Sequence, residues 1–188
     1  MTEGEAIVLG IPRGGVEVAA EIASSRGWDL DVVIPRKVRA PFNPELGLGA
    51  IAPGVRVIDE AMVKALRIPT GYLASEVATQ EEEIRRRAAR YRRGKPPVDV
   101  GDKVAVLVDD GIATGGTARA AVRWARAAGA SRVVLAVPVA PPDAVRDLAK
   151  EADEVVCLET PDPFRAVGEW YAWFPQVSDD EVVALLAR

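Results

Sequence analysis

One stretch near the middle of the chain, VAVLVDDGIATGGTAR at 104–119, combines apolar residues, paired carboxylates, glycines and threonines in a short space. It begins with an apolar, β-branched run, continues with the carboxylates Asp109 and Asp110, and then passes into a loop of small residues. Apolar residues recur at helical spacing directly afterwards. The stretch therefore predicts a strand, an acidic turn, a glycine-rich loop and the start of a helix, in that order.

The glycine-rich loop suits a phosphate group. The start of a helix carries unpaired N–H groups and a partial positive charge, and both attract anions. Glycine allows the backbone to approach the phosphate because it has no Cβ, and threonine hydroxyls are additional donors. We predict a phosphate cradle made of Gly111, Ile112, Ala113, Thr114, Gly115, Gly116 and Thr117.

The two carboxylates require a partner other than the phosphate, which they would repel. They suit a pair of sugar hydroxyls or a Mg²⁺ ion held partly through water. A phosphate at one end and a diol at the other describe a ribose 5-phosphate. Competing motifs fit less well, because a Walker loop has Lys where Thr117 stands and neither glycine-rich loop has the dinucleotide-binding spacing. The remaining alternative is a strand-to-helix turn that binds nothing.

The segment DDGIATGGT, placed after an apolar strand, resembles the signature of type I phosphoribosyltransferases, which bind phosphoribosyl pyrophosphate (PRPP). The resemblance covers nearly the whole chain in order. It implies an α/β fold with an open, mainly parallel sheet flanked by helices and a small hood made of loops and the C-terminal segment. It also implies transfer of ribose 5-phosphate from PRPP to a nitrogenous base, with release of pyrophosphate. Asp109 and Asp110 would be the catalytic residues and would orient Mg²⁺, the implied cofactor, through bound water.

A second glycine-rich loop, GIPRGG at 10–15, follows a predicted strand at Ala6–Leu9. In the resembled family this loop holds the pyrophosphate of PRPP, often through a strained peptide bond. The resemblance therefore assigns Arg13, Gly14 and Gly15 to the pyrophosphate, and the fixed charge of arginine suits that role. A tight strand-to-helix turn is the alternative.

Basic residues follow the second predicted strand, Leu30–Ile34, at the end that faces the ligand crevice in open α/β sheets. The resemblance assigns Arg36 and Lys37 to the pyrophosphate, and solvated charges at a strand end are the alternative. The next segment, APFNPELGLG at 40–49, is rich in proline and glycine and suits a mobile loop that closes over the ligand. A hairpin with its turn at Pro53–Gly54 is predicted after it.

We expect one domain over residues 1–188, divided into a core at about 5–158, a charged helical arm at about 59–95 and a hood at about 159–188. In the arm, Glu81–Glu83 stand four residues before Arg85–Arg87, which predicts i,i+4 ion pairs on a solvated helix face. The acids balance the bases there, so the arm does not indicate nucleic-acid binding.

Aromatic residues are concentrated near the C-terminus, between Phe164 and Phe174. The segment TPDPFRAVG loosely resembles the base-stacking segment of hypoxanthine-guanine phosphoribosyltransferases, and Phe164 matches the aromatic that stacks on the acceptor base. The alternative is that these aromatics pin the C-terminal segment to the sheet. The same enzymes have an aspartate near the purine N7, at the position of Ala113. Ala113 therefore argues against hypoxanthine and guanine, and the acceptor stays open.

Composition narrows the possible partners. A net charge of −4 gives no basic surface for nucleic acid, and no apolar run approaches the ~20 residues of a membrane span. The chain has no His, which excludes His-based catalysis and His metal sites. Its single Cys, Cys157, is compatible with a reducing compartment. We expect a cytoplasmic homodimer that binds PRPP and a small acceptor; a PRPP-sensing regulator and a hydrolase of the same sugar phosphate are the alternatives.

Overall fold

A computed structural model describes residues 6–187, apart from the side chains at 44 and 45. Within this part, the strands are β1 (Ala6–Gly10), β2 (Asp29–Val32), β3 (Arg36–Ala40), β4 (Asn43–Ala52), β5 (Val55–Ile58), β6 (Val104–Val108), β7 (Arg132–Val139) and β8 (Glu154–Glu159). The α-helices are α1 (Gly15–Arg26), α2 (Glu60–Ala65), α3 (Thr70–Arg92), α4 (Gly116–Ala127), α5 (Pro142–Leu148) and α6 (Asp179–Leu185). A short 3-10 helix lies at Val167–Trp170.

The main sheet has five parallel strands in the order β2-β1-β6-β7-β8. Strand β1 is buried along its whole length, as expected for a parallel strand covered on both faces. Successive residues alternate between the faces, so Ile7 and Leu9 pack with α4 and α5, whereas Val8 packs with α1. The predicted fold class, an open parallel sheet flanked by helices, is confirmed.

A smaller antiparallel sheet, β3-β4-β5, lies between α3 and α4. On one face, Leu48 and Ile51 join the apolar cluster that includes the buried residues of α3. On the other face, Ala50 packs against Ala120 of α4. Because β3 begins shortly after β2 ends, the small sheet starts at the carboxyl end of the main sheet. The two glycine-rich loops lie at the same end.

The prediction of a loop over 40–49 is wrong for most of that segment, because β4 begins at Asn43. Its glycines serve close packing between strands. A Cβ on Gly49 would overlap the carbonyl oxygen of Val57, and Gly49 has a φ of 149° that other residues rarely adopt. The predicted turn at 53–54 is present, with Gly54 in the left-handed conformation.

The charged arm has a solvated face and a buried face. Among its described ion pairs, Arg85 and Arg86 bind glutamates three residues earlier, and Arg87 binds one four residues earlier, Glu83. The predicted i,i+4 spacing therefore holds for one of these pairs. The opposite face carries Ile84 and other residues into the core beneath the small sheet.

The last helix, α6, packs against α1 and α3, and its Val182 is fully buried in the cluster beneath the small sheet. It is thus part of the body of the fold, although the hood was predicted to reach residue 188. The segment at 160–178, called the hood segment below, is outside this helix, and its role as a hood stays a prediction. No helix among residues 6–187 is long and apolar enough to cross a membrane.

Candidate functional site

Two loops meet at the carboxyl end of the main sheet because the strands that lead into them are neighbours. β1 and β6 pair in register up to their last residues. The loop after β1 consequently packs against the acidic turn after β6. A Cβ on Gly14 would overlap the carboxylate of Asp110, and a Cβ on Gly15 would lie 2.7 Å from Cα of Asp109. The structure thus brings these two glycines together with both predicted catalytic carboxylates.

Asp109 and Asp110 form a close anionic pair. The backbone N–H of Asp110 donates to Oδ1 of Asp109 at 2.9 Å. Burial raises the pKa of Asp109 well above its usual value, and the neighbouring Asp110 carboxylate raises it further. Burial also raises the pKa of Asp110. Two carboxylates held together in this way are stabilised by a cation or by hydroxyl donors.

The chemistry of this pair fits Mg²⁺. Proteins usually hold Mg²⁺ with one or two carboxylates, several waters and the phosphates of a substrate. In the part of the chain that the structure describes, no group of three or more His, Cys, Asp or Glu side chains is placed to hold a metal. Asp109 and Asp110 are the residues that would hold such an ion.

The predicted phosphate cradle leads into the N-terminus of α4. Gly115 has a φ of 76°, a conformation that favours glycine, and Thr117 lies in the first helical turn. The N–H groups of that turn have no partner within the helix, and Ala113 and Thr114 are exposed beside them. Ile112 is buried in the main core. Its side chain anchors the loop, while the backbone and the threonines remain available to an anion.

Arg13 lies in the loop after β1, directly before the two glycines that contact the acidic pair. The peptide bond between Pro12 and Arg13 is cis. Arg13 has no ion pair within residues 6–187. A guanidinium next to a loop of glycines suits an anionic ligand.

Arg36 and Lys37 lie on opposite faces of β3, because successive residues of a strand alternate. Nε of Arg36 donates to Oε1 of Gln80 on α3 at 3.0 Å. Lys37 lines a cavity of about 540 Å³ that also includes Thr114 and Gly116 of the cradle. The resemblance assigned both cations to one pyrophosphate, but their side chains extend from opposite faces of the strand. Arg36 extends toward α3 and Lys37 toward the phosphate cradle.

Tyr171 ties the hood segment to the acidic turn. Its hydroxyl donates to the carbonyl oxygen of Asp110 at 2.6 Å, and its ring packs against Phe174 with the centroids 4.8 Å apart. Burial raises the pKa of Tyr171 to about 12, and the charges of Asp110 and Asp109 contribute to the shift. Sequence reasoning did not single out Tyr171, because nothing local distinguishes it from the other aromatics of the segment.

The other aromatics of the segment do not share one role. Trp173 is 81% exposed, and Trp170 and Phe174 are each more than 40% exposed, so these rings do not pin the segment to the sheet. Phe164 is half-buried, and its stacking on a base stays a prediction. Val167 instead makes a close contact with the cradle, because a Cβ on Gly111 would lie 2.5 Å from its Cγ1.

Comparison with known proteins assigns the family. Residues 1–180 match the family model described as the phosphoribosyl transferase domain. The chain belongs to the phosphoribosyl transferase domain family. A Mycobacterium tuberculosis (strain H37Rv) protein that is itself provisionally named a phosphoribosyl transferase is 51% identical over 183 residues, which are 97% of this chain and 41% of that protein. The chain thus spans less than half the length of this relative.

A solved structure with high similarity to this chain supports the fold. The crystal structure of TT1426 from Thermus thermophilus superimposes with a TM-score of 0.81 at 47% identity and covers 97% of this chain and 86% of that one. A more distant relative, the bifunctional protein PyrR of Chloroflexus aurantiacus, is 32% identical over 117 residues, 60% of this chain and 57% of its own. The family and the type I fold expected from DDGIATGGT are confirmed.

Proposed function

We propose that the protein transfers ribose 5-phosphate from PRPP to a nitrogenous base and releases pyrophosphate, in a Mg²⁺-dependent reaction. The observation that carries this proposal is the contact of Gly14 with the carboxylate of Asp110. It joins a cationic glycine loop, an acidic pair and a helix N-terminus within one small region. A ligand with a diphosphate, a diol and a terminal phosphate has complementary groups.

Each part of PRPP has a matching part of the site. The N–H groups at the start of α4 and the hydroxyls of Thr114 and Thr117 suit the 5-phosphate. Lys37, which lines the same cavity as Thr114 and Gly116, would contact the same phosphate. Asp109 and Asp110 suit the ribose hydroxyls.

The leaving pyrophosphate is assigned to the loop after β1. In the reaction, the bond between C1 of the ribose and the pyrophosphate oxygen breaks, and the electron pair leaves with the pyrophosphate. A base nitrogen attacks C1 and gives up its proton to solvent or to the departing pyrophosphate. Arg13 and the N–H groups of Gly14 and Gly15, with Arg36, would stabilise the negative charge that develops on the leaving group. Mg²⁺, when bound near Asp109 and Asp110, would supply further charge neutralisation. The hood, held by Tyr171, would limit access of water to C1.

A PRPP-binding regulator is the second candidate. It is favoured by the Chloroflexus relative, whose name describes a bifunctional protein. Both candidates need the same PRPP site, and they differ in whether a base is consumed. A homodimer and a cytoplasmic location stay predictions, which sedimentation and cell fractionation would test.

The deciding experiment incubates the purified protein with PRPP, Mg²⁺ and a panel of bases, and measures pyrophosphate release. Release that depends on a base supports transfer, and release without a base indicates hydrolysis. Binding without release, seen as a rise in melting temperature with PRPP, indicates the regulator. If the protein neither bound PRPP nor released pyrophosphate, both candidates would be contradicted. Asp110→Asn is the control, because it keeps the shape of the side chain and removes the charge.

A further inference from the structure

The inner face of α3 carries one cation among buried residues. Gln80, Ile84, Arg87 and Tyr91 recur at spacings of four, three and four, which places them on one stripe of the helix. Arg87 is the cation, and the other three residues of the stripe are buried. The side chain of Arg87 is 22% exposed, against 54% for its neighbour Arg86. Arg87 therefore turns toward the protein, whereas Arg86 turns toward solvent.

Groups from three other elements face this stripe. Arg36 of β3 donates through Nε to Gln80 at 3.0 Å. At the other end, the hydroxyl of Tyr91 donates to Oδ1 of Asp179, at the start of α6, at 2.7 Å. This hydrogen bond lowers the pKa of Asp179, and the charges of Arg90, Arg87 and Arg13 contribute to the same shift. Arg87 of the stripe and Arg13 of the loop after β1 thus act on the same carboxylate.

Arg36 and Arg87 are close enough to repel each other. Burial lowers the pKa of Arg36, and the positive charge of Arg87 is the next largest cause. Arg13, Arg36 and Arg87 belong to a loop, a strand and a helix that are far apart in sequence. Arg87 acts on Arg36, and it acts together with Arg13 on the carboxylate of Asp179.

The acids that face these cations are shared. Asp179, on which Arg13 and Arg87 both act, already pairs with Arg90 at 2.7 Å. Glu83 lies 2.7 Å from Nε of Arg87 but also 2.7 Å from Nε of Arg86. Arg36 contacts the neutral Gln80, and within residues 6–187 Arg13 has no ion pair. Partly buried like charges without enough counterions cost free energy, and such groups are common at functional sites. A polyanionic ligand would offset that cost.

We propose that Arg87 is a third guanidinium of the pyrophosphate subsite, beside Arg13 and Arg36. This proposal rests on the proposed function. The hydrogen bond described for Arg87 uses Nε, so Glu83 orients the guanidinium and leaves its terminal nitrogens for two diphosphate oxygens. The charged arm then contributes to the ligand site as well as to the solvated surface.

The test compares Arg87→Gln with Arg86→Gln. Both variants remove one ion pair with Glu83, and their melting temperatures show whether each one is folded. Calorimetric titrations with inorganic pyrophosphate and with ribose 5-phosphate, each with Mg²⁺, separate the two ends of PRPP. We expect Arg87→Gln to weaken pyrophosphate binding about tenfold or more, as for a charged hydrogen bond, and to leave ribose 5-phosphate binding unchanged. Arg86→Gln should change neither.

The outcomes separate this inference from the proposed function. Failure of the wild-type protein to bind either PRPP or pyrophosphate would overturn both. Normal pyrophosphate affinity in Arg87→Gln, or equal losses in the two variants, would overturn the role of Arg87 alone. Arg87→Lys keeps the charge and loses the planar fork, so it provides a folded variant if Arg87→Gln does not fold. We expect it to bind pyrophosphate with an intermediate affinity.

Discussion

The carboxylate of Asp110 fills the space beside Gly14 at the carboxyl edge of the sheet. A Cβ on Gly14 would lie 2.6 Å from Cγ of Asp110 and overlap its carboxylate. Gly14 has a φ of −59°, which any residue adopts. The requirement for glycine therefore comes from the neighbouring carboxylate and not from the backbone conformation. It links the loop assigned to pyrophosphate directly to the acid assigned to the ribose.

Gly14→Ala should displace the Asp110 carboxylate while the fold stays intact, since that carboxylate is the end of a side chain that can rotate. We expect PRPP affinity to fall at least tenfold, on the order of 1.4 kcal/mol, with a nearly normal melting temperature. Gly15→Ala is the contrasting variant. Its Cβ would meet backbone atoms, with the carbonyl oxygen of Val108 at 2.6 Å, so we expect it to lower the melting temperature. Wild-type PRPP affinity in folded Gly14→Ala would contradict the assigned contact.

Lys37 and Arg36 should affect opposite ends of PRPP, because they lie on opposite faces of β3. Lys37→Met should weaken binding of ribose 5-phosphate more than binding of inorganic pyrophosphate. Arg36→Gln should do the reverse. Titration of both variants with both probes tests this directly. If Lys37→Met reduced pyrophosphate binding selectively, Lys37 would belong to the leaving-group subsite after all.

Glu83 should stabilise the fold in a pH-dependent way. Hydrogen bonds from Arg86 and Arg87 lower its pKa from the usual 4.5 to about 2. The stabilisation is therefore fully present above about pH 4.5 and is lost as the pH falls toward 2. At pH 7, Glu83→Gln should lower the free energy of unfolding by on the order of 1 kcal/mol, allowing for solvent screening.

The control for Glu83 is Glu82, whose pair with Arg85 is largely solvated, with a side chain 70% exposed. Glu82→Gln should have a much smaller effect. Melting temperatures of the three proteins between pH 7 and pH 3 provide the measurement. A deficit in Glu83→Gln that stayed constant over this range would show that the charge of Glu83 is not its cause.

Tyr171→Phe should weaken the attachment of the hood segment to the acidic turn without creating a cavity in the core. It removes the 2.6 Å hydrogen bond to the carbonyl oxygen of Asp110 and keeps the ring that packs on Phe174. We expect a loss of about 1 kcal/mol in stability and a rise in the KM of the acceptor that exceeds the rise for PRPP. Phe164→Ala, tested beside it, reports stacking on the base. Equal changes for both substrates in Tyr171→Phe would indicate a purely structural bond.

The parts of the fold that sequence predicts well are those governed by neighbours along the chain. Asp59 accepts from the N–H of Met62 at the start of α2, and Ser178 forms a capping box with Glu181, because such caps need only the right residue three positions away. The buried strands and the glycine-rich cradle followed from the same local patterns.

The parts that sequence could not give depend on contacts between distant segments. Gly49 suggested a loop, yet it permits the close approach of β5 to β4. Arg87 belonged to a run of three arginines that follows three glutamates, and only the docking of α3 on β3 turns it inward while Arg86 stays solvated. Separate placement of Arg36 and Lys37 likewise required the strand β3, which the pattern of basic residues did not indicate.

Ala113 is exposed at the mouth of the cradle, next to the segment expected to hold the base. In the 6-oxopurine enzymes that the chain resembles, the residue at this position is an aspartate near the purine N7. Ala113 has neither a donor nor an acceptor, so the polar edge of the ring would be left without that partner. A missing polar partner of this kind can reduce specificity by orders of magnitude.

We therefore expect hypoxanthine and guanine to be poor acceptors relative to the best base in a panel that includes adenine, uracil and orotate. Steady-state kinetics on the purified protein measure this. Because Ala113 is exposed, Ala113→Asp should fold normally, and it should raise activity on hypoxanthine relative to adenine if the carboxylate reaches N7. Should hypoxanthine or guanine be the best acceptor of the wild-type protein by a wide margin, another carboxylate, such as that of Glu169 in the hood, would have to contact the ring.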